Sequence, residues 1–385
     1  MPSVTSESLL DKALRLERLQ AERHLFEGLV LGHVVLPPAG RDDYLTGNFE
    51  DACIATGQYL AAQSFRWAVT GDDEAKRRAQ DSAAALRKLQ AITGAPGFFA
   101  RGFKTAAEPT WDEQCYFFPR EWHQVVGYRW LGDPSSDSFN GRTFGWACYF
   151  DLAADDEGKR NAADDVNRVV SQWIDNNFRL LDVDGRMTLW GNFDPYILEE
   201  DLNALQALNH LKCAHHITGD DKFEREYWRL IRDFGYADRA VVAKVLPHGS
   251  TPPWDDNLGM SALFHLAQYE HDRALNGLYR ESLARYWSAL KDDPNPFFQY
   301  VHKVIEPDAE IHPGALDWFR DYEPRRQKRV IKPRYPEAWL RRTPESRRAR
   351  SEDAAEIEAE TESSPHAYLR AYWMGRYHGF VGEKD

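Results

Sequence analysis

One four-residue phrase does most to limit what this chain can become. Thr-Gly-Asp-Asp stands at 70–73 and again at 218–221, each time between two segments with the apolar spacing of a helix. The Gly can take the left-handed conformation that ends one helix, and the Asp after it can cap the next. So short a turn sends the second helix back along the first. Helical hairpins that recur in one chain bury their apolar faces on one another, as a solenoid or a closed ring. Periodicity predicts a first helix marked by Leu9, Leu10, Ala13, Leu14, Leu16 and Leu19. Others follow over 53–69, 74–92, 139–152, 157–178, 205–217, 222–234, 258–269, 273–290 and 366–380, within a total of about ten to twelve. Strand signals are confined to a short hairpin over 179–189, with Asp184-Gly185 at its turn. The expected fold is all-α: a single (α/α)6–7 toroid over 1–385, with at most a minor β-hairpin.

Between the helices lie long connections. One, over 34–47, is rich in Pro and Gly; three others, over 98–137, 190–200 and 247–257, are rich in aromatics. Trp111, Trp122, Trp130, Trp190 and Trp254 fall in these three, which are expected to cluster over one mouth of the ring. A charged excursion at about 320–362 is basic over 320–350 and acidic over 352–362. It reads as a solvated segment whose halves partly neutralise each other, with an arm for a homodimer as the sharper alternative.

With 48 basic against 61 acidic residues the net charge is −13, which argues against nucleic acid as a partner. An anionic substrate still fits, because a local pocket can oppose the net charge. Cys53, Cys115, Cys148 and Cys213 are widely spaced without a CxxC pair, so free thiols are expected and zinc-finger or thioredoxin chemistry is not. The histidine spacing lacks HExxH, and neither a metal nor a cofactor is expected. No apolar run has the length of a membrane span. As it stands the chain reads as cytoplasmic, or as secreted or periplasmic if a leader has been removed.

Four segments together carry a resemblance: 56–70 (TGQYLAAQSFRWAVT), 132–152 (GDPSSDSFNGRTFGWACYFDL), 202–220 (LNALQALNHLKCAHHITGD) and 372–380 (YWMGRYHGF). The chain resembles (α/α)-toroid carbohydrate-active proteins, a group that includes polysaccharide lyases and unsaturated-uronide hydrolases. The resemblance implies an oligo- or polysaccharide substrate. It departs from the pattern at Arg142, where a His follows the Gly of the Ser-Ser-Asp helix start in those relatives. That change implies a different substrate or a lost activity.

Several residue groups suit sugar chemistry. Trp130, Trp190 and Trp254 offer flat faces for sugar rings. Asp133, Asp137 and Arg142 form the densest polar group, with Asp137 serving either the pocket or the cap of the helix near Phe139. Asn192 and Tyr196 lie in a turn shaped by Gly191 and Pro195, and Asn203 follows on the next helix. Of Asp255 and Asp256, beside Trp254, one is expected to cap a helix and the other to bind hydroxyls or act as an acid. Tyr372 and Arg376 stand one turn apart, an arrangement that lowers the cost of a phenolate; Tyr377 adjoins them.

The leading expectation is a polysaccharide lyase cleaving a uronate-containing glycan by β-elimination. That reaction needs Asn192, Asn203 or Arg142 against the carboxylate and His123, Tyr196, Tyr372 or Tyr377 to move the proton. The alternatives are a glycoside hydrolase drawing a carboxylate pair from Asp133, Asp137, Asp255 and Asp256, an isoprenoid cyclase suggested by scattered Asp-Asp pairs, and a non-catalytic glycan-binding protein.

Overall fold

The computed structural model describes residues 7–36, 50–106, 110–113, 122–334 and 357–385. Among these the chain is mostly helical. In order, the helices are α1 (Leu9–Arg23), α2 (Ala52–Thr70), α3 (Asp73–Ala91), α4 (Ser136–Leu152), α5 (Asp156–Asp175), α6 (Asp201–Thr218) and α7 (Asp221–Phe234). They continue with α8 (Tyr236–Val241), α9 (Pro253–Tyr269), α10 (Arg273–Leu290), α11 (Pro296–Ile305), α12 (Ala315–Asp321) and α13 (His366–Tyr377).

Both Thr-Gly-Asp-Asp phrases do what their chemistry dictates. Gly71 and Gly219 are left-handed, at φ 65° and 67°, and end α2 and α6. Asp72 and Asp220 then accept from the amides of Glu74 and Lys222 and start α3 and α7.

Burial divides the helices into two sets. Residues 55–66 of α2, 138–149 of α4 and 202–214 of α6 are buried without interruption, so these helices are covered on every side. α3, α7 and α10 bury a single stripe each, such as Phe223, Tyr227 and Leu230 on α7. The covered helices pack in series: α2 on α4, α4 on α6, α6 on α9, α9 on α11, α11 on α13, and α13 back on α2. The striped helices lie outside them, with α3 against α2, α5 against α4 and α6, α7 against α6, α10 against α9 and α12 against α11.

The inner helices run parallel. Near their starts, Cys53 of α2 donates to the carbonyl of Ser138 on α4, and Asn140 of α4 donates to that of Leu258 on α9. At their ends, His216 of α6 and Tyr269 of α9 both bond the carboxylate of Asp151 on α4, at 2.7 and 2.6 Å. Each outer helix returns antiparallel. The connections that follow α3, α5 and α8 therefore leave from the end where the inner helices begin.

α2 and α4 approach so closely because glycines face each other. A Cβ on Gly57 would lie 1.9 Å from the carbonyl oxygen of Gly141, and one on Gly145 would lie 2.5 Å from that of Gly57. Gly57→Ala must push the two backbones apart, and a loss of about 1–3 kcal/mol in chemical denaturation is expected.

The connections hold more strand than periodicity predicts. β1 (Leu25–Phe26) pairs with β2 (Leu29–Val30) in a two-residue hairpin. β3 (His33–Val35), β5 (Thr110–Glu113), β10 (Arg326–Arg334) and β11 (Ile357–Ser363) form a sheet in the order β3-β11-β10-β5. β4 (Gly102–Thr105), β6 (Trp122–Val125) and β7 (Tyr128–Leu131) form another, ordered β4-β7-β6. The hairpin expected over 179–189 is β8 (Arg179–Leu181) with β9 (Met187–Asn192). "At most a minor hairpin" is thus corrected to four small sheets among the described residues.

In the charged excursion β10 and β11 set Arg326 opposite Glu362 and Lys328 opposite Glu360, so its two signs meet across one ladder. Its stretch over 335–356 lies outside the described residues, as does Cys115. Cys53, Cys148 and Cys213 are buried free thiols. No described helix is long and apolar enough to cross a membrane.

Candidate active site

Parallel inner helices bring their first turns to one end of the molecule, and carboxylates occupy four of them. Asp51 and Glu200 hold the cap positions of α2 and α6, and neither bonds its helix amides. Asp137 is the second residue of α4, and Asp255 and Asp256 are in the first turn of α9.

Capping falls to other groups than those expected. Ser135 caps α4 by accepting from the amide of Ser138, so the helix starts three residues earlier than predicted and Asp137 is released from that work. α9 begins behind Pro252 with no side-chain cap, so neither Asp255 nor Asp256 serves there. The two differ in surroundings. Asp256 is 3% exposed and paired with the equally buried Lys244 at 2.5 Å. Asp255 is half-buried, and its carboxylate has no hydrogen-bond or ion-pair partner among the described residues.

This arrangement raises proton affinity. Asp255 is pushed up to about 6, first by burial and then by the charges of Asp137, Glu200 and Asp256, with Lys244 opposing. Burial, followed by Asp137 and Glu199, also raises Glu200. Asp137 is raised by burial and by Asp51, against the pull of Arg101 and a hydrogen bond from the Ser136 hydroxyl at 3.2 Å. A helix N-terminus favours a nearby anion by about 0.3–1 kcal/mol. Desolvation and mutual repulsion outweigh it here. A cluster of carboxyls in which one holds its proton near neutrality is the electrostatic pattern of acid–base catalysis.

The other predicted residues scatter. Trp130 is buried on β7, with His123 of β6 stacked on it at 4.0 Å. Asp133, at φ 55°, locks two connections together: its Oδ1 accepts from the amide of Leu189 at 2.8 Å, and its own amide donates to Asp182. Asn192 is not free to face a ligand. Its Nδ2 donates to the carbonyl of Ile197, and its Oδ1 accepts from the amide of Asp194. Asn203 is buried and donates to the carbonyl of Asn192 at 3.0 Å. Tyr196, Trp190 and Trp254 are exposed, at 74%, 51% and 62%. Trp122, Trp130 and Trp190 lie on strands and Trp254 on the first turn of α9, rather than in irregular loops.

Three expectations are corrected by placement. Arg142 is 2% exposed; it donates to the carbonyl of Leu86 and pairs with buried Asp165 on α5, so it joins the inner and outer layers. Tyr372 is fully buried against Phe319, Tyr368 and Trp373. Arg376 donates to its hydroxyl at 3.1 Å, yet burial dominates and the phenol is raised, not lowered. Tyr377 packs on Phe65 in the last third of α2. With Arg376 it belongs to the end of the molecule opposite Asp137 and Asp255.

Glu200, Asp51, Lys244 and Arg101 were not singled out from sequence. The signal for Glu200 is the acidic run Glu199-Glu200-Asp201 just ahead of an uninterrupted apolar helix.

Neither a protein-family model nor a curated protein sequence matches the chain. Among solved structures it is similar to a sugar epimerase from a ruminal bacterium, at 10% identity and a TM-score of 0.45, over 96% of this chain and 100% of that one. It is also similar to the GH76A α-1,6-mannanase from Salegentibacter sp. HEL1_6, at 10% identity and a TM-score of 0.33, over 74% of this chain and 88% of that one. An inactive Asp-to-Asn double variant of that mannanase, in complex with α-1,6-mannotriose, matches at 10% identity and a TM-score of 0.35, over 97% of this chain and 100% of that one.

Proposed function

We propose that the chain is a closed (α/α)6 toroid that hydrolyses a glycan at the end where its inner helices begin. The unbroken series of inner-helix contacts from α2 round to α13 and back supports the ring. The hydrolytic reading rests on one observation: half-buried Asp255, pushed up to about 6, faces the charges of Asp137 and Glu200. In this reading Asp255 is the general acid that protonates the departing glycosidic oxygen. Asp137 is the second carboxyl, as water activator or nucleophile; burial raises it too, and Arg101 and the Ser136 hydroxyl oppose that rise. Exposed Trp190 and Trp254 supply stacking faces for sugar rings.

β-Elimination is the weaker alternative. Two groups that it would draw on, Arg142 and Tyr372, are buried in contacts of their own. Product chemistry separates the two. With a panel of neutral and uronic-acid glycans, the expected result is new reducing ends with no rise in ultraviolet absorbance. A rise that tracks cleavage would mean an unsaturated uronide and hence elimination. No cleavage of any member would count against an enzyme.

A further inference from the structure

The segment 242–246, between α8 and α9, buries the wrong residues. Lys244 is 2% exposed, whereas Val242, Val245 and Leu246 are 42%, 46% and 41% exposed. Hydrophobic burial alone would reverse that order, since a lysine ordinarily keeps its ammonium in water. Places where a chain sets local preference aside are the places to look for function.

What the lysine reaches is the first turn of α9. Its Nζ lies 2.5 Å from Oδ1 of buried Asp256, whose Oδ2 faces the exposed ring of His248 at 4.0 Å. The carbonyl of Lys244 accepts from Nε of Arg285 on α10, and that of Ala240 from the hydroxyl of Ser282, both at 2.7 Å. The connection is thus fixed to α10 at its root, and Lys244 carries it across to α9. The first turn of α9 has no side-chain cap of its own to hold it. Asn257, one residue further on, is tied by Nη2 of Arg370 on α13 at 2.7 Å. Asp255 directly precedes these two anchored side chains, so they set its place on the turn.

We propose that Lys244 is a positioning residue: clamped on Asp256, it fixes the first turn of α9 and so holds Asp255 beside Asp137 and Glu200. The proposal rests on the hydrolytic reading for what Asp255 does, and on the buried pair for how it is held. A buried ion pair adds little stability, because desolvation offsets its attraction, and apolar residues of similar volume often serve as well or better. This pair is kept for what it fixes. Its charges also reach Asp255, where Asp256 adds to the upward push of burial, Asp137 and Glu200, and Lys244 opposes it. Tyr286 of α10, raised by burial, is raised further by both aspartates.

The decisive variant is the full chain carrying Lys244→Met with Asp256→Leu, which removes the clamp without changing net charge. Its denaturation midpoint should equal or exceed that of wild type. On whichever panel glycan the wild type cleaves, kcat should fall about 10–10²-fold with KM little changed. In protein carrying ¹³C-labelled Asp, the Asp255 carboxyl should titrate about one unit lower, because it is no longer held against its acidic neighbours. Lys244→Arg, which keeps a cation on Asp256, should retain most of the turnover. Full kcat in the double variant, or an unmoved Asp255 titration, overturns the proposal. If the double variant does not fold, Asp256→Asn decides: it leaves the lysine charge without its counterion, and an unmoved Asp255 titration there overturns the proposal equally. The two readings fail separately. A wild type that cleaves no glycan removes the hydrolytic reading while the titrations still test the clamp, and cleavage indifferent to the clamp removes only the role of Lys244.

Discussion

Asp255→Asn is expected to lower glycan turnover by about 10²–10⁴-fold, the usual worth of a positioned general acid, while leaving the fold intact and raising stability at neutral pH. The two effects share one origin. Asp255 holds its proton up to about pH 6 in the folded protein, against 3.8 for an ordinary aspartate. A group raised on folding contributes stability that is fully present below its unfolded pKa and is lost as pH rises through the folded one. Wild type should therefore lose stability relative to Asp255→Asn between about pH 4 and pH 6 and remain the less stable of the two above that window. Because the side chain is half exposed, the gain will be smaller than a fully buried carboxyl would give. Denaturation midpoints of both proteins across pH 4–8 measure it, beside turnover on the same preparations. Higher stability at the expense of activity is the mark of a strained functional group rather than a structural one.

Asp165→Ala should have the largest effect on stability, about 3–5 kcal/mol, because it strands the Arg142 guanidinium in the interior. Arg142 and Asp165 are each 2% exposed. Desolvation raises the Asp165 carboxyl even against the pull of Arg142, so the pair sits where charge is disfavoured. Replacing both residues by apolar ones of similar volume, Arg142→Met with Asp165→Leu, should recover most of the loss. Glycan turnover per folded molecule should be unchanged in the double variant. A double variant that folds well and is inactive would return Arg142 to the catalytic group.

How much of this was written in the sequence follows the range of the interactions. The hairpins at 70–73 and 218–221 were legible to the residue, because left-handed Gly and capping Asp act within one turn of chain. The small sheets, apart from the hairpin of β8 and β9, were not. Strands of two to four residues, as β1 to β7 are, leave little alternation to read, and the partners of β3 and β5 lie on β11 and β10, far along the sequence. Asp137 and Asp255 were legible as candidates, since each is an acid near a helix start with a Trp close by. Their partner Glu200 was not, because only the parallel packing of α4, α6 and α9 brings the three together. Tyr372 and Arg376 misled for the opposite reason. Their spacing within one helix is correct, but burial of that face reverses the direction of the phenol's shift.

A carboxyl kept protonated by burial and by its acidic neighbours is directly measurable. In protein carrying ¹³C-labelled Asp, the resonance that disappears in Asp255→Asn should titrate near 6 and move down when Asp137→Asn removes a neighbouring charge. Titration of that resonance in the ordinary carboxylate range, unmoved by Asp137→Asn, would contradict the convergence of acidic groups on which the catalytic assignment depends.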